Sequence, residues 1–384
     1  MTKNIYLVAD SYEPNSAFTN RFLAFARGYG ELGIYVNVVF PFPGRKFNKV
    51  DGLLENVRFI YLWDKLKTDN KYIRFVLTRF YLFKFILQLR KNDIVILYGM
   101  INFLWMFRLV KNVKLYHERT ESPDVIGRDY SFTGDIKHKI YLSSCKKLDG
   151  LFVISPSLRN YFVKEVGMSE DKVHVINMIV DMSRFDNLNL KPKLNTITYC
   201  GTISEQKDGI SYLIKSFAKV IEHYNNITLT IIGSFESKKT EQNVLQLIKN
   251  LNIESNIILL GPVSSEEMPF HLSAAKILAL SRPNNKQAQY GFPTKLGEYL
   301  MTENPVVITQ VGDFDKYLED KKEVIFSKPD DIDDFADKLL WVLDNYKLAS
   351  SIGKNGKVIA QNSFNYKIES QKVLQVIFGE NFIN

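Results

Sequence analysis

The sequence predicts an α/β protein of two doubly wound domains, each a parallel sheet covered by helices, facing a shared cleft. Three observations carry this. Short β-branched and aromatic runs alternate with helix-periodic stretches throughout the 384 residues, which is the rhythm of βαβ units. That length is too great for one ordinary domain and suits two. The rhythm also breaks once, at "NMIVDMSRFDNLNLKPKLN" (177–195), where a proline and polar residues interrupt it without any period. Sheets of this kind take ligands outside the carboxyl ends of their strands, so function is expected on the strand-to-helix loops.

In chain order, the expected strands of the first half are "NIYLVA" (4–9), "YVNVVF" (35–40), "VRFIYL" (57–62), "DIVILY" (93–98), "VKLYH" (113–117) and "GLFVIS" (150–155). Helices fall between them, as in "NRFLAFARGYGELG" after the first strand. The second half repeats the pattern with "TITYCG" (196–201), "ITLTIIG" (227–233), "NIILLG" (256–261), "KILALS" (276–281), "PVVIT" (305–309) and "EVIFS" (323–327). The domains are therefore set at 1–180 and 196–362, with a linker over 181–195. The remaining 363–384 contains "FNYKIESQKVLQVIF", apolar at helical spacing, which either folds back on the first domain or caps the second.

Composition narrows the function classes. At 46% apolar and 24% charged the chain is folded rather than disordered. Apolar runs such as "FLWMF" fall far short of the roughly 18 residues that span a bilayer. The opening "MTKNIYLVAD" enters a strand pattern directly, so a cytoplasmic location is expected. Cys145 and Cys200 lack a CxxC partner and read as buried spectator thiols. The five histidines are scattered, and no metal site is expected. The first strand-to-helix loop, "ADSYEPNSAFTNR" (9–21), holds no glycine, which argues against a dinucleotide cofactor.

The net charge of +8 is concentrated in 58–92, where nine Lys or Arg stand against two Asp and nine aromatics are interleaved. Such a segment suits an anionic membrane surface, placing the protein peripherally on the inner face of the plasma membrane. It equally suits an ordinary buried helix whose cations reach out to water. No evenly spaced basic stripe or binding module speaks for nucleic acid.

Two loops in the second half fit an anionic ligand. "YCGTISEQKDGISYLIKSF" (199–217) is a strand ending at Gly201, followed by a polar loop with Lys207 and a helix; backbone donors and one cation there suit a diphosphate. "QYGFPTKLGEYL" (289–300) sets Gly291, Phe292, Pro293, Thr294 and Lys295 before a helix that carries Glu298. Its free N–H groups point at an anion, with Pro293 suited to the first helical turn. Glu298, three residues after Lys295, forms either a helical ion pair or a clamp on sugar hydroxyls.

Together these loops resemble the retaining nucleotide-sugar glycosyltransferases of family 4, which have the GT-B architecture of two Rossmann-like domains. The similarity covers roughly 196–330, where "YCGTISEQKDGISYLIKSF", "NIILLGPVSSEEMPFHLSAAKILALS" and "GFPTKLGEYLMTENPVVITQVGDFDKYL" follow the family's donor-site segments in order. In the first half, "GLFVISPSLRNYF" followed by "HVINMIVDMSRF" resembles the family's run into its linker. The resemblance implies a donor diphosphate held by Gly201, Lys207 and the loop Gly291 to Lys295, with Glu298 on the ribose. It also places Pro262 and Val263 at the nucleotide base, His117 of "KLYHERTESPD" at the donor sugar, and no bound metal or cofactor beyond the nucleotide-diphosphate sugar itself. Two departures stand out. Thr202 follows Gly201 where the family has an arginine, so Lys295 or Arg282 is expected to supply that charge. The family's first glutamate is absent, because Gln289 and Tyr290 occupy its two plausible positions. Asn15, Ser16, Ala17 and Phe18 of the first loop are assigned to the acceptor side.

The leading expectation is a retaining glycosyltransferase that acts on a glycan or lipid-linked acceptor in bacterial polysaccharide or glycolipid assembly. A sugar-nucleotide epimerase or hydrolase of the same fold stays open; it would want acid and base residues beyond Glu118 and Glu121. So does a non-catalytic nucleotide-sugar-binding subunit, for which the absent glutamate speaks.

Overall fold

A computed structural model describes residues 4–14, 16–44, 47–50, 52–66, 68, 70–110, 113–125, 131–186 and 194–383. Two compact units are formed, one by Met1–Asn177 with Tyr366–Asn384 and the other by Met178–Asn365.

The first unit is built on seven parallel strands: β1 (Ile5–Ala9), β2 (Val36–Phe40), β3 (Val57–Tyr61), β4 (Ile94–Tyr98), β5 (Lys114–Arg119), β6 (Gly150–Val153) and β7 (Val173–Val175). They lie in the order β3-β2-β1-β4-β5-β6-β7. β2 and β4 are buried along their whole length, as strands covered by helices on both faces must be. The strand patterns of the first half all form, and β7 is the one they omit. Its three residues are too few to show alternation, and only pairing with β6 identifies them.

The second unit has six parallel strands: β8 (Thr196–Cys200), β9 (Thr228–Ile232), β10 (Ile257–Gly261), β11 (Ile277–Leu280), β12 (Val306–Thr309) and β13 (Ile325–Ser327). Their order is β10-β9-β8-β11-β12-β13. In each sheet the order reverses beside the first strand, between β1 and β4 and between β8 and β11. Those reversals are where open α/β sheets leave a crevice.

The terminal helix Tyr366–Phe378 lies in the first unit, against helix Ala17–Glu31. Gly28 lets the two approach, since a Cβ there would fall 2.2 Å from the Ser370 hydroxyl. Buried Glu369 accepts the Asn177 backbone N–H at 2.9 Å, and the Tyr366 hydroxyl reaches Glu31 at 3.1 Å. Within the expected linker, Met182–Phe185 forms a short helical turn, and 187–193 lie outside the described residues.

Candidate functional site

The reversal in the second sheet brings together the loops after β8 and β11, and both expected anion-binding stretches come to it. Strand β8 ends at Gly201, whose φ of 145° leaves no room for a side chain: a Cβ would sit 2.1 Å from Lys295 Nζ. Gly233, at the end of β9, fits as closely, with its own absent Cβ 1.9 Å from the Gly201 carbonyl oxygen. The Gly201 N–H donates to Ile232 O and the Gly233 N–H to Gly261 O, both at 2.9 Å, so the ends of β8, β9 and β10 are stepped together. Pro262 and Val263 follow directly on that step.

After Gly201 the chain makes one helical turn, Glu205–Asp208, capped by Ser204, whose hydroxyl accepts the Lys207 N–H at 3.3 Å. Gly209 then adopts a left-handed conformation and starts helix Ile210–Ile221. The Ser281 hydroxyl, at the end of β11, lies 3.1 Å from the carbonyl oxygens of both Asp208 and Gly209. Thr309 at the end of β12 donates to Arg282 O at 2.7 Å. The loop after β11 is thus tied on both sides.

The loop before Glu298 is fixed from below. Phe292 is buried against Phe314, Phe364 and Tyr317, with ring centres 5.1 to 5.5 Å away. Pro293 stands at the N-cap of helix Thr294–Met301, one position earlier than a first-turn proline, and no side chain caps that helix. The Tyr299 hydroxyl accepts the Cys200 N–H at 2.7 Å, pinning the helix to the end of β8.

This geometry decides where the charges go. Lys295 and Glu298 do not pair with each other. Lys295 reaches under Gly201 to ion-pair with fully buried Asp208, and its Nζ lies 3.2 Å from the Tyr199 hydroxyl. Tyr199 in turn donates to Asp208 at 2.7 Å, and Arg282 Nε stands 3.8 Å from the other Asp208 oxygen. Burial raises the Asp208 pKa, but Lys295, Arg282 and the hydrogen bonds from Lys295 and Tyr199 outweigh it and hold the carboxyl below its usual range. Lys207 is different: its ammonium has no carboxylate partner among the described residues. Lys207, Arg282 and Lys295 set against Asp208 and Glu205 of the same turn leave the crevice net positive. Glu298 pairs with Arg184, which also donates to Ser265 O at 2.7 Å. Gln289 donates to the Asn284 side chain at 3.1 Å, and Asn284 meets Asp330. Thr202 is exposed, and its carbonyl lies 2.8 Å from the Tyr199 hydroxyl.

Asp208, Tyr199 and Arg184 were not picked out by sequence as members of this site. An acid directly after Lys207 in a loop expected to bind an anion was the available signal for Asp208; Arg184 gave none.

His117 sits in β5 with none of its surface exposed, and both ring nitrogens are taken. Nδ1 faces Leu97 O at 3.0 Å, which only accepts, so Nδ1 carries the proton and Nε2 accepts from the Tyr141 hydroxyl at 3.0 Å. Burial and the nearby Arg119 push its pKa down to about 3, so the ring is neutral at physiological pH. Contact with a sugar requires it to give up the Tyr141 bond. In the first loop Ser16 caps helix Ala17–Glu31 by accepting the Thr19 N–H at 3.1 Å. Ala17 opens that helix and Phe18 is part-exposed beside Phe22. Asn15 lies outside the described residues. Glu118 is held in a buried ion pair with Arg21 at 2.8 Å.

The basic, aromatic segment forms helix Lys71–Gln88, and it is not a buried helix. Only Thr78, Leu82, Phe85 and Ile86 are buried, whereas Tyr72, Val76 and Leu87 are 72%, 62% and 63% exposed. Cys145 and Cys200 are buried free thiols, each pushed up to about 12 by burial. Among the described residues no group of acids, His and Cys is placed to hold a metal, and no helix is long and apolar enough to cross a membrane.

Known families match this layout in both halves. Residues 19–184 match the family described as "Glycosyltransferase Family 4", and residues 183–358 the one described as "Glycosyl transferases group 1". The chain belongs to this glycosyltransferase family. Among curated relatives, the capsular polysaccharide biosynthesis glycosyltransferase CapM of Staphylococcus aureus is 26% identical over 234 residues, 57% of this chain and 58% of that protein. Mannosylfructose-phosphate synthase of Agrobacterium fabrum is 20% identical over 275 residues, 67% of this chain and 59% of its own length. The chain therefore spans less than two thirds of the length of these relatives. Of solved structures, Anabaena Alr3699/HepE in complex with UDP and glucose superposes with a TM-score of 0.74 at 13% identity, over 98% of this chain and 99% of that one. That likeness establishes the GT-B fold of two Rossmann-like sheets.

Proposed function

We propose that this member of the family is a retaining glycosyltransferase, which moves a sugar from a nucleotide-diphosphate donor to a glycan or lipid-linked acceptor. The observation that carries the reading is the net positive crevice at the β8–β11 reversal, with Lys207 lacking a carboxylate partner on one loop and the uncapped start of helix Thr294–Met301 on another. Cleavage of the sugar–phosphate bond leaves negative charge on the diphosphate, and charges already fixed in place stabilise it without reorganising. Lys207 binds the diphosphate directly. Lys295, held under Gly201 next to Thr202, supplies the charge that the family's arginine would bring, and Asp208 fixes its position. Arg282 backs the same carboxylate. Glu298 takes the ribose hydroxyls once a nucleotide draws it from Arg184, Pro262 and Val263 meet the base, and Gly291 to Thr294 line the phosphate side. His117 orients the donor side of the first unit through its place in β5. No resident metal or cofactor is part of the reading.

The HepE structure holds UDP and glucose, so UDP is the first nucleotide to try. The CapM relative motivates a role in surface polysaccharide assembly. The exposed aromatic face of Lys71–Gln88 motivates peripheral attachment to the inner face of the plasma membrane. The test is nucleoside diphosphate release from candidate donors by the wild type, Lys207→Ala and Glu298→Ala. Both variants should lose most of the release, and full activity in both rules out the assignment. Because Gln289 is an amide tied to Asn284, a non-catalytic nucleotide-binding subunit is the rival reading. It predicts a UDP-induced rise in melting temperature with no turnover of any donor.

A further inference from the structure

A second concave feature lies wholly within the first unit and is chemically unlike the crevice above. A cavity of about 550 Å³ opens at the carboxyl ends of β4 and β5, bounded by Arg79 of helix Lys71–Gln88, by Phe103 and Trp105 after β4, by Arg119 at the end of β5, and by Lys137 and Tyr141 of helix Phe132–Cys145. That volume suits a molecular ligand rather than a flat surface contact. Among the described residues no carboxylate lines it, and Asp124, beside its wall, is taken up by His138 at 3.0 Å. Arg79 is the informative residue. Its guanidinium lies 3.3 Å from the Phe75 ring centre and 5.6 Å from those of Phe42 and Phe103, and it donates to Phe75 O at 2.9 Å. Neither Arg79 nor Lys137 has a carboxylate partner among the described residues. Arg79, kept among aromatic rings with no carboxylate partner among the described residues, and Lys137 beside the same cavity favour an anion that arrives with the ligand.

The surroundings are apolar and face outward. Helix Lys71–Gln88 packs against Leu104–Phe107, which packs against Phe132–Cys145. On the first, Tyr72, Val76, Phe80, Phe83 and Leu87 recur at helical spacing and are all exposed. Trp105 and Leu109 are exposed next to it, and Phe132, Ile136 and Ile140 repeat every four residues along the third element. A cationic, aromatic cavity ringed by exposed apolar stripes is complementary to one kind of molecule: an anionic head on a long hydrocarbon tail.

We infer that this cavity is the acceptor head-group site, and that the acceptor is a phosphate-bearing amphiphile, a lipid-linked phosphate whose head enters between Arg79 and Lys137 while its tail runs over the apolar stripes. The inference rests on the glycosyltransferase reading for the word acceptor. The site itself stands on the cavity and its charges.

The test uses the full chain and follows Trp105 fluorescence, with farnesyl phosphate, farnesol and inorganic phosphate as probes. Farnesyl phosphate should bind at least tenfold more tightly than farnesol and at least a hundredfold more tightly than inorganic phosphate. Arg79→Gln and Lys137→Gln should each weaken it about tenfold or more, a charge-assisted hydrogen bond lost. Val76→Ser with Phe83→Ser should weaken farnesyl phosphate but leave inorganic phosphate unchanged. Equal binding of inorganic and farnesyl phosphate overturns the amphiphile. Binding indifferent to Arg79→Gln and Lys137→Gln overturns the cavity, as does a match between that binding and partition onto vesicles of 80% phosphatidylcholine and 20% phosphatidylglycerol, which would mean bulk membrane adsorption. The UDP-induced rise in melting temperature, measured on every variant, reports folding. Absence of such a rise in the wild type with UDP, GDP, dTDP and ADP alike would sink the glycosyltransferase reading while leaving farnesyl phosphate binding to be judged alone.

Discussion

The loops at the carboxyl ends of the two sheets solve opposite problems with similar residues. In the second unit nearly every charge is answered by another: Lys295 and Arg282 by buried Asp208, Glu298 by Arg184, with Lys207 left over. Glycines at the strand ends let these groups pack under the backbone. At the first unit's cavity Arg79 faces aromatic rings, and apolar side chains are left in water around it. The contrast teaches that a preorganised anion site needs a carboxylate to hold its cations, whereas a site for an amphiphile needs space, rings and exposed apolar surface. One half is rigid by charge pairing and the other open by design of its surface.

The sharpest way to break that contrast is Asp208→Ala. Removing the carboxylate leaves Lys295 and Arg282 facing each other in a buried setting, and the expected loss is about 3–5 kcal/mol in urea unfolding at pH 7. A loss under about 1 kcal/mol would mean that the cations relax into solvent and that the second unit is no more preorganised than the first. The depressed Asp208 pKa also fixes a sign: its contribution is present above the ordinary carboxylate range and disappears as pH falls through the folded value.

His117 sharpens the first half. Its folded pKa of about 3 lies below the usual 6.5, so between those values the unfolded chain binds the extra proton and stability falls as pH falls, by up to about 1.4 kcal/mol per pH unit. His117→Asn should remove that component, leaving a shallower slope than the wild type between pH 6.5 and 4 by thermal or urea melts. Parallel slopes would show that the ring is charged or exposed in the folded protein.

Lys207→Ala should act on binding alone. A charge-assisted contact to phosphate contributes roughly 1.5–3 kcal/mol, so UDP affinity by calorimetry should drop between tenfold and a hundredfold while unfolding free energy stays within about 0.5 kcal/mol. An unchanged affinity would return Lys207 to the role of a solvated loop lysine. The smallest effect is expected for Val76→Ser, which touches an exposed face: a stability change inside about 0.5 kcal/mol. A loss several times larger would show that this face is packed against something in solution.

Much was legible from residue order alone. Twelve strands followed from runs such as "DIVILY" and "TITYCG", because a strand covered on both faces must be continuously apolar, and that requirement is local. The two anion-binding stretches were legible because glycine, proline and lysine at a strand end or helix start have few other reasons to cluster. β7 was hidden because three residues show no period. What the tertiary structure alone decided is which charge meets which. Lys295 and Glu298 are three residues apart and looked like partners, yet one turns under Gly201 to Asp208 and the other out to Arg184, each more than eighty residues away in the chain. Only the packing around Lys71–Gln88 fixed which face of that helix met water, since a repeat of aromatic and basic residues fits a buried or an exposed helix. Sequence period reports what a segment demands of its surroundings. Ion pairs, cavities and exposed stripes depend on distances between segments, and those exist only once the sheets have formed.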